Sequence, residues 1–162
     1  APMPAPELEQ FLRRFHINTH ADALAFVDDI FSNGAGILRH ALAHGVRQRF
    51  THPQLRRLLA GVTPAQMLTS QDLADLTMPT LLVWGREERI LPPSHLEFFR
   101  NNLPEHATIE EWPNFGHVGF LEQPTALCNR VLEFARGVSA AAKIRSRRST
   151  ATDAHATLRA SA

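Results

Sequence analysis

The stretch Pro79-Thr80-Leu81-Leu82-Val83-Trp84-Gly85 decides how the rest of the chain is read. Its centre is an unbroken apolar run, opened by a proline and closed by a glycine, too short for a helix and without polar alternation. Such a run predicts a strand buried on both faces, as in a parallel sheet. Toward the C-terminus, Pro92-Pro93-Ser94 predicts the start of a helix to about Leu103, with Leu96, Phe98 and Phe99 as its apolar stripe. Residues 107–112 predict a second strand. A loop follows from Pro113, and Pro124 opens a last helix carrying Leu127, Val131, Leu132 and Phe134. The order strand, helix, strand, helix is the grammar of an α/β doubly wound sheet.

Upstream of Met78 the period is helical. Leu8, Phe11, Leu12 and Phe15 fall at helical spacing, as do Leu24, Val27 and Phe31, and then Ile37, Leu38 and Leu42. Gly34 and Gly36 break this stretch, which predicts two helices of about three turns each. Pro53 opens a short helix that Gly61 stops, and Thr63-Pro64 predicts another to about Leu68.

Composition bounds the function. The chain has 162 residues, 44% hydrophobic and 20% charged, which suits one ordered domain. One cysteine excludes an internal disulfide and a cysteine-based zinc site. No apolar run is long enough for a membrane span. Residues 1–6 show no signal peptide, which leaves the compartment open with the cytoplasm favoured. The net charge of +1 conceals an uneven distribution. Residues 1–137 hold 12 Lys+Arg and 15 Asp+Glu, whereas residues 138–162 hold five Lys+Arg and one Asp. The basic character therefore belongs to an Ala-, Ser- and Thr-rich tail, expected to be frayed or disordered, and no nucleic-acid face is implied.

Two loops, each at the C-terminal end of a predicted strand, occupy the place where α/β sheets hold ligands. The first is Gly85-Arg86-Glu87-Glu88-Arg89-Ile90-Leu91-Pro92, and the second is Asn114-Phe115-Gly116-His117-Val118-Gly119-Phe120-Leu121-Glu122-Gln123-Pro124. On these residues the segment 78–137 resembles the last third of an α/β-hydrolase. In that superfamily one loop has the form W-G-x-x-D-x-x-x-P and the next G-H-x-x-x-x-E-x-P. Trp84, Gly85, Glu88 and Pro92 match the first, and Gly116, His117, Glu122 and Pro124 the second. The resemblance implies that His117 is the general base and Glu88 the acid that orients it. Most relatives carry Asp where this chain has Glu88, although Glu serves in some members. Glu87 is the alternative acid, and Glu122 is assigned to bracing the loop.

The nucleophile of that superfamily sits in G-x-S-x-G and precedes the acid and histidine in the chain. Outside the tail the serines are Ser32, Ser70 and Ser94, and none has that setting. The resemblance thus implies a C-terminal segment: residues 1–76 a helical cap, residues 77–137 the last part of the core, residues 138–162 the tail. It implies a small ester-like substrate, a Ser-His-acid acyl mechanism, no metal and no organic cofactor. It also implies that the sheet is completed by an upstream core or a complementing chain. Two other functions stay open: a non-catalytic remnant or partner-complemented module, and a haloalkane- or epoxide-cleaving hydrolase with an Asp nucleophile. His40 and His44 have zinc-compatible spacing, but no Glu lies between them as in H-E-x-x-H, and no third ligand is evident. The apolar stripes Leu8/Phe11/Phe15 and Leu24/Val27/Phe31 are most simply packing within the cap, with an acyl pocket as the alternative.

Overall fold

The structure, a computed structural model, describes the backbone of residues 1–160 and the side chains of residues 1–142. The chain divides into two units, residues 1–123 and residues 124–162.

In the first unit, helix α1 (Ala5–Arg13) carries Pro6 and Glu7 in its first turn, where a missing N–H and a negative charge both suit a helix start. Helix α2 (His20–Ile30) does not continue from it. Thr19 accepts a hydrogen bond from the Asp22 N–H, and the Asp22 carboxylate accepts from the Thr19 and Asn18 N–H groups. These bonds, first of all the Thr19 N–H, hold the Asp22 carboxyl below its ordinary pKa. The capping box thus breaks the chain at residues 14–19, ahead of the expected glycine break, because it satisfies N–H groups that a continuous helix would have bonded itself. Helix α3 (Arg39–Thr51) returns against α2, after a 3-10 turn at Gly36–Leu38.

Ile17, Ala23, Val27 and Ala43 form the core of this helical region. The small Ala side chains let α2 and α3 approach closely. Beside them Phe15, Phe26 and Phe50 pack ring to ring, with centroids 5.2–6.0 Å apart, and Phe11 meets Phe15 at 5.3 Å. The stripe residues Phe15 and Val27 therefore serve packing. Ile37 and Leu38, which fall at helical spacing with Leu42 after the glycine break, lie 99% and 59% exposed. Asp28 and Arg39 join α2 to α3 through two hydrogen bonds of 2.6 and 2.5 Å.

Helix α4 (Pro53–Ala60) follows as the proline predicts. The helix expected from Thr63 shortens to a 3-10 turn, Pro64–Gln66, because Gln66 folds back onto the Thr63 N–H. A further capping box, Thr69 with Asp72, starts helix α5 (Ser70–Ala74).

Strands β1 (Leu81–Gly85) and β2 (Thr108–Trp112) pair in parallel, Leu81 opposite Thr108 and Gly85 opposite Trp112. Helix α6 (Pro93–Asn102) makes the crossover, and its Phe99 ring lies 6.2 Å from Trp84. Arg100 ties it to β2 through Glu111. Leu81 to Trp84 are half-buried instead of fully buried. A sheet of two strands among the described residues covers less of each strand than the apolar run anticipates. A short helix, α7 (Gly119–Glu122), closes the first unit.

The second unit is helix α8 (Pro124–Ala160). Its backbone carries on past Gly137 into the segment expected to fray, where Ala140, Ala141 and Ala142 are strong helix formers. The side chains of that tail from residue 143 onward, and its last two residues, lie outside the described residues.

His95, on α6, is 6% exposed and its Nε2 has no hydrogen-bond partner. Burial, followed by the charge of the amino terminus, lowers its pKa, while Glu7 and Glu88 pull it up less strongly. The native state therefore takes up a proton on this imidazole less readily than the unfolded chain, which protonates near 6.5. Its contribution to stability is constant above that pH and falls as pH drops below it. In urea titrations, a His95→Leu variant is expected to gain on the wild type as pH goes from 7.5 to 5.5. An unchanged difference in midpoint would refute this.

Candidate active site

The two loops leave adjacent parallel strands at the same end, so they emerge side by side. Their backbones interlock. The Arg86 N–H donates to the Trp112 carbonyl at 3.0 Å, and the Phe115 N–H donates to the Glu87 carboxylate at 3.0 Å. Gly85 is required by this contact. A Cβ there would stand 1.9 Å from the Phe115 carbonyl oxygen. Before Phe115 the chain turns at Asn114 with φ of 55°, a left-handed conformation that Asn tolerates better than most residues.

Glu88 and His117, named from the two loops, are brought together. His117 Nδ1 lies 2.8 Å from Glu88 Oε2. The other carboxylate oxygen, Oε1, accepts the backbone N–H groups of Ile90 at 2.6 Å and Leu91 at 3.0 Å. The Glu88 side chain is 9% exposed and that of His117 is 37% exposed. Burial pushes the Glu88 carboxyl up. The hydrogen bond with His117, the Leu91 N–H, the His117 charge and the Ile90 N–H together outweigh it, and the net pKa lies below the ordinary value. Glu88 is therefore ionised near neutral pH, with three hydrogen-bond contacts shared between its two oxygens. An ionised carboxylate only accepts, so Nδ1 carries the proton of the neutral ring and Nε2 keeps its lone pair. Glu87 turns the other way, onto Phe115, and does not compete for the histidine.

The helical region grips both loops. Arg14 Nη1 donates to the carbonyls of Arg89 and Ile90, each at 2.8 Å. The Arg89 side chain donates back to the carbonyls of Asp28 (3.1 Å), Phe31 (3.1 Å) and Ser32 (2.7 Å). It thus occupies carbonyls left open at the end of α2. Glu122 receives three donors: the Ser32 N–H and hydroxyl on Oε1 and the Gly116 N–H on Oε2, each at 2.6 Å. The Val118 N–H reaches the Ile30 carbonyl at 3.1 Å. Gly116 presses so closely on this segment that a Cβ would fall 2.7 Å from the Ser32 nitrogen. The bracing assigned to Glu122 thus extends from its own loop to Ser32. Neither Arg14 nor the partnership with Ser32 has a signal in the sequence, because both depend on contacts between residues 75 or more positions apart.

The histidines with zinc-compatible spacing take other partners. His40 faces His20, with ring nitrogens 3.3 Å apart, and His44 meets Gln48 at 3.0 Å. No group of three metal-binding side chains occurs among the described residues. No helix there is long and apolar enough to cross a membrane.

A parallel strand pair joined by a crossover helix and preceded by helices matches part of an α/β-hydrolase fold. Solved structures bear this out. The chain superposes on 2-hydroxy-6-oxo-6-phenylhexa-2,4-dienoate hydrolase from Rhodococcus sp. strain RHA1 with a TM-score of 0.66 and 20% identity, covering 84% of this chain and 52% of that one. A bacterial membrane phospholipase A gives 0.62 and 24%, covering 86% and 46%. A carboxylesterase from Bacillus subtilis gives 0.55 and 24%, covering 82% and 46%. The chain thus spans about half the length of these proteins, and identities this low speak to the fold alone. No family model and no curated protein sequence matches the chain.

Two outcomes follow. Replacing Glu122 by Gln removes the charge that three donors share, and is expected to lower stability by about 2 kcal/mol in urea unfolding. The Glu88 carboxyl, whose pKa is depressed on folding, stabilises the native state fully above about pH 4.5 and loses that contribution as pH falls through its native value. Glu88→Gln should therefore flatten the acid limb of the stability profile below pH 4.5, and an unaltered limb would count against the buried carboxylate.

Proposed function

We propose that this chain supplies the acid–base part of a serine-type acyl hydrolase, with His117 as general base and Glu88 as the acid that orients it. The reading rests on one observation: the 2.8 Å contact between His117 Nδ1 and a Glu88 carboxylate whose other oxygen is held by two backbone N–H groups. In this arrangement Glu88 fixes the ring and its tautomer and stabilises the imidazolium. His117 Nε2, which has no partner among the described residues, takes the proton of a nucleophile and later returns it to the leaving group. Glu88 itself stays ionised throughout, because the Ile90 and Leu91 N–H groups and the His117 ring all bond more strongly to the carboxylate than to the neutral acid.

The substrate class follows from chemistry and likeness together. Several neighbours of the fold are named as hydrolases or esterases, among them the Rhodococcus and Bacillus proteins. Phe120 and Leu121, just beyond His117, are 56% and 58% exposed, which suits an apolar acyl group or a covering segment at the site. Residues 1–76 act as the cap, and the ties of Arg14, Arg89 and Glu122 hold it to the two loops. No metal and no organic cofactor enters this scheme.

A base accelerates acyl transfer only with a nucleophile within hydrogen-bond reach. None of Ser32, Ser70 and Ser94 has an elbow around it, and Ser32 spends its hydroxyl on Glu122. The nucleophile and the oxyanion donors therefore come from outside these 162 residues, either from an upstream core or from a complementing chain. The 162-residue chain by itself is expected to hydrolyse p-nitrophenyl butyrate no faster than background. Robust turnover that His117→Ala abolishes would overturn this. The His117–Glu88 pairing is tested without turnover, by proton NMR near neutral pH. A downfield imidazole N–H resonance is expected in the wild type and absent in Glu88→Gln, and its absence from the wild type would remove the basis of the proposal.

A further inference from the structure

A groove of about 590 Å³ opens between the end of α1, the connection to α2, and α4, and its lining includes neither Glu88 nor His117. Sites for small organic ligands span about 300–1,000 Å³. Two features of this groove are independent of each other. The first is an apolar floor of Leu12, Phe15 and Leu59, all half-buried. Phe15 is held rigid there by its contacts with Phe11, Phe26 and Phe50.

The second is an uncompensated cation. The groove has two arginines, and their charges are handled differently. Arg13 is neutralised by Glu9 at 2.8 Å on the open surface. Arg56 is held only by neutral acceptors: its Nη2 donates to Asn18 Oδ1 at 2.6 Å and its Nε to the Phe50 carbonyl at 3.3 Å. Among the described residues no carboxylate meets it, and its Nη1 group has no partner. The guanidinium is thus fixed in orientation while its positive charge and part of its donor fork stay unused. A planar fork with free donors matches a carboxylate, which it can bind with two parallel bonds. A dianionic phosphate would call for a second free cation, and Arg13 is already paired.

We propose that this groove binds an anionic amphiphile, specifically a medium-chain carboxylate. Its alkyl chain lies on Leu12, Phe15 and Leu59, and its head group sits on Arg56. The site is separate from the His117–Glu88 pair and does not depend on the chain having hydrolase activity.

Isothermal titration of the 162-residue chain with dodecanoate, kept below its micelle concentration, tests this. A saturable single-site isotherm is expected, with dodecan-1-ol at least about tenfold weaker because it lacks the charge. Arg56→Ala is expected to weaken dodecanoate by a similar factor. Ala60→Trp, a substitution at an exposed lining position, is expected to abolish binding by filling the groove, with circular dichroism confirming the fold of each variant. His117→Ala should bind like the wild type. No saturable binding, equal affinity for the alcohol and the carboxylate, unaltered binding in Ala60→Trp, or loss of binding in His117→Ala would each overturn the proposal.

Discussion

A carboxylate that leaves water must find donors for its lone pairs, and the way Glu88 does so shapes the rest of this structure. Its side chain is almost fully covered, and burial alone would favour the protonated acid. Two successive backbone N–H groups, from Ile90 and Leu91, and the His117 ring reverse that preference. To present those N–H groups the loop must curl around the carboxylate immediately after β1. To present His117, the second loop must leave β2 in register with the first. The parallel pairing, with Gly85 opposite Trp112, meets both demands.

Loops are mobile unless something holds their backbones, and here the holding groups come from the helical region. Arg14 binds two carbonyls of the acid loop, Arg89 sends its side chain from that loop into the end of α2, and Glu122 joins Ser32 to Gly116. Each brace pairs a charged side chain with neutral backbone groups, an arrangement that spares the entropy of ordering two long side chains against each other. The same segment that ends α2 therefore receives both loops, and a shift of one loop is felt by the other. The contact between Glu88 and His117, one side chain from each loop, gains from this shared support.

Gly85 and Gly116 show how tightly the arrangement is built. One backs onto the Phe115 carbonyl and the other onto the chain between Ile30 and Ser32, and neither place has room for a side chain. The glycines that flank the acid and histidine in the two loops thus have a steric reason that concerns neighbouring backbone, apart from any role toward a ligand.

The amino-acid sequence by itself determined the features set by local chemistry. The apolar run at Leu81 and the prolines at 53, 93 and 124 marked elements that the structure contains, and the resemblance of the two loops to those of α/β-hydrolases pointed to Glu88 and His117, the two side chains that meet. Such signals survive because strand burial, proline geometry and loop spacing are read within a few residues. The capping box at Thr19 and Asp22 was equally local, and it explains why α1 and α2 are separate helices. Only the tertiary structure decided the rest. It gave Glu88 to the histidine and Glu87 to Phe115, made Arg14 and Ser32 part of the support, left Ile37 exposed within an apolar stripe, and kept the Arg56 charge uncompensated beside a ring cluster. These outcomes depend on which distant backbone groups arrive beside a given side chain, and that is fixed by packing and not by neighbours in the chain.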